Sequence, residues 1–111
     1  MAVNPYVFVL CGALFAAVGQ VFFKFGAAGA VGLVDFINIR TIAGLALYGV
    51  STVLWIFALS KLPLSRVYPF TVLTFLLVYA ASVVILREPL TVSVAFGAAL
   101  VMIGLVIITI G

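Results

Sequence analysis

Residues 41–60 read TIAGLALYGVSTVLWIFALS, an unbroken run without a charged side chain, bounded by Arg40 and Lys61. At about 1.5 Å rise per residue, a run of this length forms an α-helix of roughly 30 Å, which matches the hydrocarbon core of a bilayer. A charged side chain at the centre of such a helix would cost about 2.5 to 3.5 kcal/mol on insertion. The run therefore predicts a transmembrane helix.

The rest of the chain repeats this pattern, with further uncharged stretches at residues 1–23, 67–86 and 89–111. The chain is 68% hydrophobic and 6% charged, with a mean hydropathy of +1.57, whereas soluble domains average about 25% charged residues. We predict an all-α membrane protein whose single domain, residues 1–111, is a compact bundle of four transmembrane helices. We call them spans 1 to 4, and we expect them at about residues 5–25, 41–59, 66–86 and 91–110.

Several kinds of chemistry lack the side chains that they need. The sequence contains no His, one Cys and two acidic residues, and no predicted span contains Asp or Glu. A metal site needs a cluster of ligands, and nucleophilic catalysis needs a nucleophile beside a base. We therefore expect no enzyme activity, no cofactor and no metal site. The five Lys and Arg residues form no cluster, so nucleic acid is not an expected partner.

The hydroxyl groups of span 3 share one side of the predicted helix. At 100° per residue, Tyr68, Thr71, Thr74, Tyr79 and Ser82 fall within an arc of roughly 140°. This clustering favours a polar seam that faces other helices. Two alternatives stay open, since Ser and Thr can satisfy themselves on carbonyls of their own helix, and Tyr68 can be an interfacial anchor.

Span 1 carries an amide, Gln20, one helical turn before Lys24 on the same face. A polar amide in contact with lipid is costly, so Gln20 should face other helices or water. It either makes a hydrogen bond between helices or lines a substrate path.

Charged residues at the span ends are expected at two membrane faces. Lys24, Arg87 and Glu88 belong to one face, and Lys61 and Arg66 belong to the other. Two cationic mouths suit a phosphate head group, which accepts charge-assisted hydrogen bonds. Charges that only extend to solvent from helix ends would give the same pattern. Taken as a site, the predicted substrate-binding residues are Gln20, Lys24, Arg66, Tyr68, Thr71, Thr74, Arg87 and Glu88.

Two glycines in span 4, Gly97 and Gly104, are seven residues apart and lie on one helix face. Helices in lipid pack closely through small residues, so we predict a dimer contact here, with packing inside the monomer as the alternative. The numbers of Lys and Arg on the two faces are nearly equal, which leaves parallel and antiparallel pairs open. The connection over residues 26–40 is either an interfacial helix or a loose loop.

The order of these features resembles the small four-helix branch of the drug/metabolite transporter superfamily. The resemblance lies in Gly19-Gln20 with Lys24, in Tyr68-Pro69, in Arg87-Glu88-Pro89 and in the paired glycines of span 4. Within that branch, small multidrug resistance exporters depend on a glutamate in their first helix, and the matching position here is Ala16. The chain looks more similar to the subunits that flip aminoarabinose-phosphoundecaprenol across the bacterial inner membrane.

This resemblance implies a transporter or flippase subunit for an anionic lipid-linked substrate, such as a polyprenyl-phosphate-linked sugar. The implied location is the bacterial inner (plasma) membrane. The implied partners are the bilayer, that substrate, and a second four-helix chain in a homodimer or heterodimer. One alternative is a small multidrug resistance-type cation/proton antiporter, with Glu88 as its acidic group. Another is a membrane interaction subunit that transports nothing.

Overall fold

The computed structural model describes residues 4–111, and residues 1–3 of the predicted domain lie outside the described residues. Its elements are helices joined by turns, with no strand in the described range. Four of the helices are long and apolar enough to cross a membrane. The predicted all-α fold with four spans is thus confirmed, and the protein is a multi-pass membrane protein. Spans 1 to 4 occupy Pro5–Ala27, Ile39–Leu59, Leu64–Val84 and Val92–Ile110.

Side chains cap the starts of three spans. The Asn4 carboxamide oxygen accepts a hydrogen bond from the Tyr6 N–H at 3.0 Å, and Pro5 occupies the first turn, where it needs no donor. Asn38 caps span 2 in the same way, and the Thr91 hydroxyl accepts from the Val94 N–H at 3.2 Å. These caps fix where the helices begin.

Span 3 is not a continuous α-helix. An α-helical turn, Leu64–Val67, leads into a 3-10 turn, Tyr68–Phe70, and the α-helix resumes over Thr71–Val84. Pro69 explains the interruption, because proline has no N–H to donate and its ring crowds the preceding turn. The span starts and ends two residues before the predicted range 66–86.

Span 1 is the central helix of the bundle. It packs along span 2 and against span 3, whereas span 4 packs mainly against span 3. The described chain measures 45 × 37 × 21 Å, so the bundle is flat. Its core is small: Val9, Ala58 and Val67 are fully buried where spans 1, 2 and 3 meet. Most other apolar side chains are turned outward, as a protein surrounded by lipid requires.

Glycine allows spans 1 and 2 to approach closely. A Cβ atom added at Gly44 would lie 2.9 Å from the Gly19 carbonyl oxygen, and one added at Gly19 would lie 3.0 Å from the Gly44 carbonyl oxygen. Real Cβ atoms essentially never show a contact below 3.0 Å, so position 44 requires glycine. At Gly19 a side chain would be tighter than nine in ten real Cβ contacts and would push against the span 2 backbone. Spans 1 and 2 share the most extensive helix contact in the described chain, and this crossing lies within it.

The connection between spans 1 and 2 is an ordered turn that includes a 3-10 helix, Leu33–Phe36. The Asn38 side-chain amide donates to the Gly26 carbonyl at 2.8 Å and to the Asp35 carbonyl at 3.0 Å. One side chain therefore ties the end of span 1, the turn and the start of span 2 together.

Candidate functional site

Two crevices, each of about 330 Å³, lie one after the other along span 3. One lies mainly between spans 2 and 3, with Ala16 of span 1 at its wall, and the other lies between spans 1 and 3; we call the path along both the seam. Spans 1 and 3 run in the same direction across the membrane. The positions of the lining residues in these two spans therefore show how close each crevice lies to either membrane face. The crevice that we call the central crevice lies nearer the face with the span 2–3 turn, and the one that we call the charged crevice lies nearer the face with the other two connections. The central crevice is lined by Ala16, Tyr48, Ser51, Thr52, Trp55, Ile56, Leu59, Thr71 and Thr74. The charged crevice is lined by Gln20, Val21, Lys24, Phe75, Val78, Tyr79, Ser82, Leu86 and Glu88.

The charged crevice brings together three of the predicted site residues. Gln20 and Lys24 enter it from span 1, one turn apart, and Glu88 enters it from the turn after span 3. Within residues 4–111, Lys24 and Glu88 form no ion pair at 4.0 Å or less. Both side chains are exposed, so each charge is free to contact a ligand in the crevice.

Aromatic and hydroxyl groups complete the wall of the charged crevice. The rings of Phe75 and Tyr79 stack with centroids 6.4 Å apart. The Ser82 hydroxyl donates to the Tyr79 carbonyl at 2.8 Å, as expected for a serine inside a helix. The Tyr79 hydroxyl is buried and has no hydrogen-bond partner in the described chain. A ligand, a water molecule or a second chain is needed to satisfy it.

The central crevice contains Thr71 and Thr74 of the predicted site, but no charged residue. The Thr74 hydroxyl donates to the Ala13 carbonyl at 3.5 Å, and the Thr71 hydroxyl donates to the Tyr68 carbonyl at 2.9 Å. Each hydroxyl keeps its oxygen lone pairs available. The crevice is thus uncharged and lined by groups that suit neutral hydrogen-bonding ligands.

Span 2 supplies polar residues to the central crevice that the sequence analysis missed. Tyr48, Ser51, Thr52 and Trp55 follow the spacing i, i+3, i+4 and i+7, which places them on one helix face. This helical spacing of polar residues is visible in the sequence and could have indicated the polar face of span 2. The Trp55 indole packs against Gly12, where a Cβ atom would collide with the ring, and its N–H is buried without a partner in the described chain.

The remaining predicted site residues lie outside both crevices. Arg66 lines a third cavity, of about 280 Å³, near the end of span 4. Its guanidinium donates to the Thr109 carbonyl at 3.5 Å and to the Gly111 carbonyl at 3.4 Å, so it caps that helix end. Tyr68 and Arg87 are exposed side chains at opposite ends of span 3. The structure thus divides the eight predicted residues among separate places.

The two glycines of span 4 are open. A Cβ atom added at Gly97 or Gly104 would meet nothing within 4 Å. In the described chain, no other helix packs on this face, so the glycines do not serve packing within the monomer. The face is free to contact lipid or a second chain.

Fold and crevices together define a small multi-pass membrane protein with polar openings between its spans, a class to which transporters belong. The chain is similar to the protein of Pseudomonas fluorescens named "Probable 4-amino-4-deoxy-L-arabinose-phosphoundecaprenol flippase subunit ArnF", with 39% identity over 80 residues. Proteins with the same name from Shewanella sediminis and Yersinia enterocolitica are 40% identical over 68 residues and 39% identical over 69 residues. These matches confirm the resemblance to the flippase subunits.

The similarity covers part of each protein. The three matches span 69%, 60% and 60% of this chain, and 58%, 47% and 54% of the respective relatives. The matched region thus amounts to about half of the length of these relatives. No protein-family model matches the chain, and no solved structure matches it significantly.

Proposed function

We propose that this chain is a subunit of a flippase that moves an anionic, lipid-linked sugar across the bacterial inner membrane. The relatives are named as subunits of a flippase for a phosphoundecaprenol-linked amino sugar. In this chain the crevices between the spans would bind the head group of such a substrate.

The charged crevice is the observation that carries the proposal. It presents Gln20 and Lys24 on one wall and Glu88 on another, with Lys24 and Glu88 not paired to each other. Lys24 suits the phosphate of the substrate, because an ammonium donates charge-assisted hydrogen bonds to phosphate oxygens. Glu88 suits the amine that the relatives' substrate carries, and Gln20 can donate to or accept from sugar hydroxyls.

The central crevice supplies the second part of the path. Its hydroxyl groups, from Ser51, Thr52, Thr71 and Thr74, match the hydrogen-bonding capacity of a sugar without adding charge. A polyprenyl tail need not enter either crevice. The head group would pass along the seam while the tail stays in the bilayer.

A second four-helix chain completes the proposed transporter. The relatives are named as subunits, and the open glycine face of span 4 offers a contact for a partner. The chain would therefore act as a homodimer or with a similar chain.

The test is substitution of Lys24 by Gln in vesicles that contain the protein and a fluorescent polyprenyl-phosphate sugar. The loss of one charge-assisted hydrogen bond costs about 1.5 to 3 kcal/mol, so the apparent affinity for the substrate should fall about tenfold to a hundredfold. Lys61→Gln is the matched control, because Lys61 is exposed in the span 2–3 turn and lines neither crevice. Equal transport by Lys24→Gln and Lys61→Gln would disprove the role of the charged crevice.

Glu88 gives a second candidate function, the export of cations. A carboxylate inside a crevice attracts cationic drugs, and Glu88 is the acidic residue that lines the charged crevice. Cells that produce the intact chain would then resist cationic drugs, and Glu88→Gln would abolish the resistance. If the chain is instead a flippase subunit, we expect it to confer no drug resistance. Glu88→Gln should then shift the substrate preference away from amine-bearing head groups.

A further inference from the structure

The connection between spans 1 and 2 exposes apolar side chains to an unusual degree. Val31 is 92% exposed, Leu33 88%, Val34 78% and Ile37 74%. They lie outside the helices that cross the membrane, so the hydrocarbon core does not cover them by default. Apolar side chains this exposed and this close together mark a contact surface.

The turn that carries these side chains is held firmly from inside. The Asp35 carboxylate accepts hydrogen bonds from the Gly32 N–H at 3.0 Å and the Val31 N–H at 3.2 Å. The Ile37 N–H donates to the Val34 carbonyl at 3.0 Å, and Asn38 ties the turn to span 1. These hydrogen bonds satisfy backbone groups of the turn and hold its conformation, and the apolar side chains project outward from it.

The surroundings favour lipid as the covering material. Apolar exposure continues from the turn into Ile39 and Ile42 on span 2, which are 77% and 52% exposed and belong to a membrane-crossing helix. Arg40 stands beside them, exposed, where it can reach lipid phosphates. A few side chains are also far fewer than the 20 to 30 residues that each side of a stable protein interface usually contributes.

We propose that residues 31–37 form a wedge that inserts into the membrane at the boundary between head groups and acyl chains. Val31, Leu33, Val34 and Ile37 occupy the apolar side of this boundary, and Arg40 meets the phosphates above it. The wedge fixes the depth of the hairpin of spans 1 and 2, and Lys24 lies in the same hairpin, in the last turn of span 1.

The experiment places a fluorescent label at single cysteines in vesicles. In a Cys11→Ala background, labels at Val34→Cys and, as a second site, Ile37→Cys are tested with aqueous iodide and with lipids that carry a quencher near the top of the acyl chain. Lys61→Cys is the aqueous reference, and Val50→Cys, on the exposed face of span 2, is the reference for the hydrocarbon core.

We expect iodide to quench the labels at positions 34 and 37 severalfold less than the label at position 61. The shallow lipid quencher should act on positions 34 and 37 more strongly than on position 50. Iodide access equal to that of position 61 would overturn the proposal. Shielding that disappears when the protein is diluted in lipid would also overturn it, because a second chain would then be the covering partner. Neither result depends on whether the protein is a flippase.

Discussion

Arg87 adopts a backbone conformation that suits glycine. Its φ is 57°, and it is the only non-glycine residue with positive φ among residues 4–111. It follows the end of span 3, where the Glu88 N–H donates back to the Ser82 carbonyl at 3.0 Å, and this position of a helix end usually takes glycine. A side chain in this region costs about 1 kcal/mol or somewhat more.

We therefore expect Arg87→Gly to be more stable than Arg87→Ala by about 1 kcal/mol. Both changes remove the charge, so the difference in stability reports the backbone strain, offset in part by the greater freedom of glycine in the unfolded chain. The measurement is unfolding in mixed detergent micelles. Equal stability of the two variants would mean that the turn carries no such strain.

Asp35 makes the turn between spans 1 and 2 sensitive to acid. Hydrogen bonds from the backbone N–H groups of Gly32 and Val31 hold the pKa of its carboxyl below the ordinary value of 3.8. A lowered pKa stabilises the folded turn above pH 3.8, and this stabilisation is lost as the pH falls through the lowered value. The Val31 and Gly32 amides should thus lose protection from hydrogen exchange only in strong acid.

Asp35→Asn tests that assignment. The variant should show weaker protection of these two amides already at neutral pH, and the acid step should be absent. Exchange is read by NMR in micelles and corrected for intrinsic rates at each pH. An acid step that persists in Asp35→Asn would assign it to another group.

At the scale of single residues, sequence succeeded where local geometry decides. Gln20 and Lys24 share a crevice because residues four apart lie on one helix face. Arg66 could not be placed in this way, since its partners, the carbonyls of Thr109 and Gly111, are more than forty residues away. Only the packing of span 4 against span 3 brings them together.

At the scale of elements, the four spans could be predicted because the distribution of charge and helix length determine them. The interruption of span 3 was missed for a specific reason. A span beginning at residue 66 places Pro69 in its first turn, where it is harmless, whereas the actual start at Leu64 places it further inside. A shift of two residues in a boundary thus changes the local conformation.

The crossing of spans 1 and 2 yields a sharp mutational prediction. In Gly44→Ala, the new methyl group would lie 2.9 Å from the Gly19 carbonyl oxygen and 2.7 Å from the Phe23 ring, so the helices must separate. Such overpacking costs about 1 to 3 kcal/mol. The free energy of unfolding in mixed micelles should fall by that amount.

Gly49→Ala is the matched control, because it lies on the same span and its Cβ would meet nothing within 4 Å. We expect it to unfold like the parent chain or to be slightly more stable, as alanine favours helix. A similar loss in both variants would show that the effect arises from helix propensity and not from the crossing.

At the scale of the whole molecule, the pairing of the spans was out of reach of the sequence. Each span is apolar on nearly all sides, so hydrophobicity does not mark the face that contacts protein. The polar face of span 2, from Tyr48 to Trp55, can be assigned to a crevice only because the structure places it opposite Thr71 and Thr74. The pattern was visible, but its partner was not.

The flat bundle leaves span 4 at one edge, with contacts mainly to span 3. Its glycine face, Gly97 and Gly104, is open in the single chain. Glycine inside a membrane helix is useful when it lets another helix approach closely. Since no helix of the described chain does so, we predict that span 4 of a second chain packs here.

The double variant Gly97→Val and Gly104→Val separates this contact from folding. A Cβ atom at either position meets nothing within 4 Å in the monomer, so we expect the single chain to keep its fold. At a helix pair the new side chains would hinder close approach at a cost of about 1 to 3 kcal/mol, which raises the Kd of the dimer about fivefold to a hundredfold. Energy transfer between labelled chains in vesicles, measured over a range of dilutions, gives this constant. Gly49→Val is the control, because position 49 is equally open but lies on span 2, and this variant should dimerise like the parent chain. If the double variant still dimerises, or if Gly49→Val weakens the dimer equally, the interface does not lie on span 4.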